Sequence, residues 1–293
     1  MNPILNFERR FPASLFGSKI LISTFLLLLL SCSRTAAGEN LEKAVLVKSD
    51  AMRNGVRFLV SMRRCREATI NFTCKDLSNL KASFPLPHTF VADHQCSNEE
   101  LLRLVQEDPA PWHFGEWKFH YELGMPSTDR TIDYEYALPY SQSEHYRVRQ
   151  SYFGSFSHNL GSSEQYAIDF SMPEGTTIRA SRPGVVIACR DDSDLGGPSP
   201  DFKPYANYVV IKHGDGTYAN YMHLQKKGVL VELGQKVQEG TPIGLSGATG
   251  FARGAHLHFH VYRVVDGDRI ETIPFKTKTA EGIVPQLEER KIY

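Results

Sequence analysis

The segment Ala255-His256-Leu257-His258-Phe259-His260-Val261-Tyr262 constrains this chain more than any other stretch. Its alternation has the period of a β-strand, in which residues i and i+2 share a face and stand roughly 7 Å apart. His256, His258 and His260 therefore share one face, while Leu257, Phe259 and Val261 take the other and can enter a core. Packing alone gives three neighbouring imidazoles little reason to sit there. A metal ion or proton transfer does give one; a solvated polar face is the plainer alternative.

The surroundings are of the same kind. Six of the eleven histidines lie within residues 150–265, where His158, His213 and His223 join the strand's three. Apolar runs bounded by glycine, such as Gly184–Ala188 and Tyr208–Lys212, indicate a compact antiparallel sheet. Pro173-Glu174-Gly175-Thr176 with Ile178 echoes Glu239-Gly240-Thr241-Pro242-Ile243, through duplication or through recurrence of a common hairpin signal. Upstream, Thr69–Cys74, Glu116–Tyr121 and Ile132–Tyr136 alternate in the same period-two manner.

The expected fold class is all-β: a small N-terminal β-sandwich over residues 40–135, then an antiparallel β-sheet domain over 136–270. Residues 271–293 are a C-terminal extension, in which Glu271–Phe275 reads as a final strand and Glu288–Lys291 as a solvated tail. Ser97-Asn98-Glu99-Glu100 before Leu101 and Leu102 has the form of a capping box and predicts one short helix. Residues 40–135 gather no catalytic groups; His88, His94, His113 and His120 read as surface or packing histidines.

Residues 1–38 read as an address. Arg9, Arg10 and Lys19 precede an apolar run from Ile20 to Leu30, shorter than the ~20 residues of a spanning helix but suited to a secretion signal. Leu29-Leu30-Ser31-Cys32 resembles a lipobox, which would lipidate Cys32; plain cleavage after Ala36-Ala37 or Gly38 is the alternative. The expected location is the periplasm, as a free or membrane-anchored lipoprotein, or else the medium. Lys+Arg and Asp+Glu both number 33, a balance that argues against a nucleic-acid partner. In an oxidising compartment Cys65, Cys74 and Cys96 suggest one local disulfide, with Cys189 a buried free thiol. The spacings contain no CxxC, which argues against a thiolate zinc site or a redox pair.

Four blocks then stand in a telling order: Tyr166-Ala167-Ile168-Asp169-Phe170 running to Met172-Pro173-Glu174-Gly175-Thr176; Asn207–Gly214; Tyr221-Met222-His223-Leu224; and Gly247-Ala248-Thr249-Gly250 followed by His256-Leu257-His258-Phe259. Together they resemble the lysostaphin-type (LytM-like) zinc metalloendopeptidases, a family with the duplicated hybrid motif fold. The resemblance covers roughly 150–265. It implies a Zn2+ ion held by Asp169 and His258, with His223 and His256 as the pair that assists catalysis.

The family's remaining ligand is a histidine four residues before the aspartate, and here Gln165 stands there. The nearest upstream histidine is His158, followed by the loop-like Asn159-Leu160-Gly161-Ser162-Ser163. Some relatives resemble this longer arrangement, so His158 is expected to be the third ligand; the alternative is a surface histidine at a turn. Tyr152 resembles a family tyrosine that faces the developing oxyanion, though it also fits strand packing. His260 departs from many relatives, and either orients a ligand through a hydrogen bond or lines the groove. His213 reads as a turn residue. Two imidazoles and a carboxylate leave zinc an open position for water, whose pKa the metal lowers to about 7.

The resemblance thus implies an exported zinc endopeptidase that cuts peptide bonds in peptidoglycan cross-bridges or stem peptides. The alternatives are a catalytically inactive domain that binds cell wall or activates another hydrolase, and a metalloenzyme acting on extracellular protein. Oligomeric state stays open.

Overall fold

Period-two alternation becomes strand almost throughout the computed structural model, which describes residues 43–127 and 133–293. The expected signal with Cys32, and Ile132 at the start of one expected strand, lie outside the described residues. Among those described, the only helix is the short 3-10 segment Pro200–Tyr205.

The N-terminal part forms two sheets. One runs β1 (Val45–Met52), β2 (Gly55–Met62), β6 (Cys96–Gln106), β4 (Leu80–Ala82); the other runs β5 (His88–Ala92), β3 (Ala68–Cys74), β7 (Trp117–Leu123). Their inner faces meet where Phe58 of β2 packs 4.7 Å from Phe72 of β3 and 5.1 Å from Trp117 of β7, ring centre to ring centre. Aromatic rings from three strands bury a large apolar area in a small space, which offsets the modest size of each sheet.

The expected helix is absent. Ser97–Leu102 lies inside strand β6, paired to β2 through Phe58↔Leu102 and Val56↔Leu104. Leu102 and Leu104 are buried, and satisfying that face with period two outweighs a local capping signal. The expected local disulfide is absent too: Cys65, Cys74, Cys96 and Cys189 are all free thiols. Cys65 sits in the core, where burial pushes its pKa up to about 12.

The larger sheet has the order β17 (Lys236–Val237), β12 (Gly184–Arg190), β14 (Tyr208–Lys212), β15 (Tyr218–Met222), β20 (His256–Asp266), β10 (Ile168–Ser171), β9 (Arg147–Gln150), with β21 (Arg269–Thr272) also pairing with β20. Leu257, Phe259 and Val261 of β20 enter one core with Ile168, Phe170, Val209, Ile211 and Tyr221. On the opposite face Val210, Tyr218 and Tyr262 join the core of the N-terminal sheets. That cover covers only part of the face. The part holding Met222, His256 and His258 lines a groove instead.

Smaller sheets close the ends: β11 (Thr177–Arg179), β18 (Pro242–Ser246), β16 (Leu224–Val229); β13 (Gly196–Gly197) with β19 (Gly250–Phe251); and β23 (Gly282–Val284), β22 (Lys276–Thr279), β8 (Glu135–Ala137). The two echoing segments turn out to be partners in the first of these, with Ile178 opposite Gly244. Gly175 and Gly240 occupy matching turns at φ +83° and +82°, a conformation that a β-carbon would strain. The bonds around them are reciprocal: Gly175 N donates to Ser246 O and Gly240 N to Ala180 O.

The C-terminal residues do not form a solvated tail. Their charged side chains face solvent, but the backbone lies along the edge strand β9: Val148 N donates to Lys291 O, Arg290 N to Val148 O, and Tyr146 and Tyr293 exchange bonds. Leu287 and Tyr293 are buried. Glu271–Phe275 is not a final strand either; its first two residues end β21, and β22 and β23 follow. Lys43–Tyr293 cluster as one compact unit.

Candidate metal centre

Register places the site. Across β15, β20, β10 and β9, Met222, His258, Asp169 and Gln150 stand opposite one another, forming one row on the open part of the sheet face. Two of these four carry metal-binding atoms, and the third donor arrives from the loop between β9 and β10. His158, buried completely, brings Nε2 to 3.4 Å from Asp169 Oδ1 and 3.4 Å from His258 Nδ1; Asp169 Oδ1 and His258 Nδ1 are 2.9 Å apart. Zinc bound tetrahedrally at roughly 2.0–2.1 Å separates its donors by about 3.4 Å. The two distances from His158 match that spacing and the Asp169–His258 pair is closer, at 2.9 Å; the three form the only group of this kind among the described residues.

Each donor is held from behind. His158 Nδ1–H donates to the Ser151 carbonyl at 3.1 Å, which leaves Nε2 with the lone pair a metal needs. The second oxygen of Asp169 accepts from Gln150 Nε2 at 3.0 Å. Gln150 also donates to Ser157 Oγ and accepts from the backbone N–H groups of Phe156 and Ser157. One side chain thus ties the loop bearing His158 to the strand bearing Asp169. Nothing in the sequence pattern marks Gln150 for this role beyond its inward position in β9. Gln165, where the family histidine would be, closes the inserted loop instead: its Oε1 accepts from Gly161 N and its carbonyl from Phe153 N.

His223 and His256 stand beside this triad. Their ring centres are 4.5 Å apart, and His223 lies 5.8 Å from His258. His223 follows β15 in the left-handed region at φ +67°, an uncommon conformation for a non-glycine residue that bends the chain at the mouth of the site. His223 Nδ1–H donates to the Thr249 carbonyl at 2.7 Å and His256 Nδ1–H to the Gly254 carbonyl at 2.9 Å. In both rings Nε2 keeps its lone pair. Burial, aided by His256 and His258, pushes the His223 pKa down to about 3, and burial lowers that of His256. Both are neutral near pH 7. At Asp169 burial opposes the charged form, yet the His158 and His258 rings, which can turn a proton toward Oδ1 when no metal is bound, hold the carboxyl well below its usual range.

The groove has a volume of about 260 Å³ and is walled by Phe156 and Phe251, with Arg149, Lys203 and Arg253 against Glu164 and Glu289. Three singled-out residues lie apart from the triad's open side. Tyr152 points inward: its hydroxyl donates to the Phe275 carbonyl and accepts from the Phe275 N–H, so it is a packing residue rather than one facing the groove. His213 is buried beneath the turn that follows β14, with Nδ1–H donating to the Pro183 carbonyl. His260 shares the row of Asn220 and touches His258 from behind.

Part of the chain is similar to known proteins. Residues 163–272 match Peptidase family M23; His158 precedes the matched segment. A stretch of 94 residues is 46% identical to the peptidoglycan DD-endopeptidase ShyA of Vibrio cholerae, covering 32% of this chain and 19% of that protein. A stretch of 136 residues is 32% identical to the glycyl-glycine endopeptidase ALE-1 of Staphylococcus capitis, covering 46% of this chain and 32% of that one. The chain therefore spans about a fifth to a third of the length of these relatives. Among solved structures, the catalytic domain of lysostaphin from Staphylococcus simulans aligns with 40% of this chain and 78% of its own at 26% identity, with a TM-score of 0.27.

Proposed function

We propose that this chain, which carries a Peptidase family M23 domain over residues 163–272, is an exported zinc-dependent endopeptidase that hydrolyses peptide bonds in peptidoglycan cross-bridges or stem peptides. The observation that carries the reading is the convergence of His158, Asp169 and His258 on one point beside two neutral histidines with free Nε2 atoms. His158 Nε2, Asp169 Oδ1 and His258 Nδ1 would hold the metal. A bound zinc supplies Lewis acidity toward water and toward a peptide carbonyl.

The chain's own residues do the rest. Backbone carbonyls on Nδ1 fix the tautomers of His223 and His256, so each presents Nε2 as a proton acceptor at the groove. Such a base takes a proton from the attacking water, and the imidazolium so formed returns it to the leaving amine. Phe156 and Phe251 wall the cleft and limit water, and the cationic rim of Arg149, Lys203 and Arg253 suits a peptide carrying carboxylates. The signal-like residues 1–38 support export, with Cys32 as the point of lipid attachment if the lipobox is used.

The test is digestion of purified peptidoglycan by the zinc-loaded chain, scored by new amino termini. Release that disappears in His258→Ala supports the reading. Binding to the wall with no new amino termini, in wild type and variant alike, overturns it in favour of a wall-binding domain; cleavage of casein but not of wall would move the substrate to extracellular protein.

A further inference from the structure

The third histidine of β20 has no part in the chemistry above, and its surroundings define one. For His258 Nδ1 to join a metal with His158 and Asp169 it must offer a lone pair, so the proton of the neutral ring is on Nε2. That atom lies 2.9 Å from His260 Nδ1, and among the described residues His258 Nε2 has no other hydrogen-bond partner. The bond requires a lone pair at His260 Nδ1, which puts the His260 proton on its own Nε2. His260 Nε2 is buried with no partner in the protein, and directly across the β15–β20 ladder the Oδ1 of Asn220 is buried and unpartnered as well. A donor and an acceptor, each costly to leave unpaired, thus face each other on register partners. One water shared between them would satisfy both.

We propose that His260 is a positioning residue for the metal centre. It accepts the Nε2–H of His258 and so holds that ring in the tautomer and orientation that turn Nδ1 toward the metal. Asn220 selects the matching His260 tautomer by accepting from His260 Nε2–H through the water. A buried imidazole at this position costs desolvation that a leucine would not, and the acceptor it provides is the return. The proposal rests on reading His158, Asp169 and His258 as a metal site.

Its test measures zinc affinity by competition with a chromophoric chelator, on the whole chain as wild type, His260→Leu and His260→Asn. Asparagine can place a carbonyl oxygen near the position of Nδ1 and restore the acceptor. His260→Leu is expected to weaken zinc binding by about 10- to 100-fold, and His260→Asn to stay within roughly threefold of wild type. Nitrogen-15 NMR of the zinc-loaded wild type should show His258 protonated at Nε2. A folded His260→Leu with wild-type affinity overturns the proposal, as does a folded His260→Asn that loses zinc, or a His258 proton on Nδ1. Should His260→Leu not fold, the asparagine variant and the NMR measurement still decide. A wild type that takes no zinc overturns the metal reading and this proposal together, whereas a zinc-binding wild type with an indifferent His260→Leu overturns only the latter.

Discussion

Replacing Gln150 probes how the loop and the sheet share one metal centre. Gln150→Ala removes four hydrogen bonds: to Asp169 Oδ2 at 3.0 Å, to Ser157 Oγ at 2.9 Å, and from the N–H groups of Phe156 and Ser157 at 3.0 and 3.1 Å. The loop backbone also rests on this side chain, since a β-carbon on Gly154 would lie 2.3 Å from Gln150 Cγ. The bond to the ionised carboxylate is worth about 1.5–3 kcal/mol and each bond to a backbone N–H about 1 kcal/mol. Charged to metal binding, the first corresponds to zinc held about 10- to 100-fold more weakly. Charged to folding, the two loop bonds correspond to about 2 kcal/mol, or a midpoint lowered by roughly 4–8 °C for a chain of this size. Gln150→Glu separates the two effects: it keeps acceptor oxygens for the loop but sets a second carboxylate against Asp169. It should recover part of the lost midpoint in the metal-free chain. Chelator competition and thermal unfolding measure both quantities. A Gln150→Ala chain that binds zinc within threefold of wild type and melts within a degree of it would refute this account of the side chain.

Three further outcomes are expected. His223→Ala and His256→Ala should each lower hydrolysis by about 10²–10⁴-fold while zinc per chain stays unchanged, since neither ring is among the three converging donors; loss of zinc in either would reassign it. His213 carries a pKa pushed down to about 4 by burial, below the ordinary 6.5, so protons bind the unfolded chain first as pH falls. Its contribution is complete above pH 6.5 and fades toward pH 4, costing about 2–3 kcal/mol by pH 4.5. Urea unfolding of metal-free His213→Phe should accordingly show a shallower acid limb than wild type, and equal limbs would discount the histidine. Deleting residues 288–293 exposes the edge of β9 and removes buried Tyr293, for a loss of about 3 kcal/mol or more. Since β9 carries Gln150, zinc affinity should fall with it; a truncated chain that melts and binds like wild type would contradict the edge-strand role.

Strand periodicity makes one strand of the candidate site legible in the sequence, whereas Asp169, His158 and His223 enter only through the family resemblance. The alternation in residues 255–262 places His256, His258 and His260 on one face because a pleated strand offers no other arrangement, and β20 follows that rule. His158 was harder: its link to Asp169 depends on how an inserted loop folds, which in the structure is set by Gln150 and Gln165 rather than by any local pattern. Ser97–Leu102 misled because a capping box reports only local preference, whereas the burial of Leu102 and Leu104 against β2 is a tertiary demand. Glu288–Lys291 misled in the opposite sense. Its side chains are solvated, but its backbone groups pair with β9, and backbone pairing leaves no mark on side-chain polarity. Gln150 carries no signature at all, because a lone inward glutamine acquires meaning only when its three partners are placed around it.

The account stands on three side chains gathering one metal ion. The most direct measurement is zinc per chain, by elemental analysis of purified wild type and His158→Ala after reconstitution. One zinc in the wild type and none in the variant is the predicted result. No zinc in the wild type, or one zinc retained without His158, would contradict it.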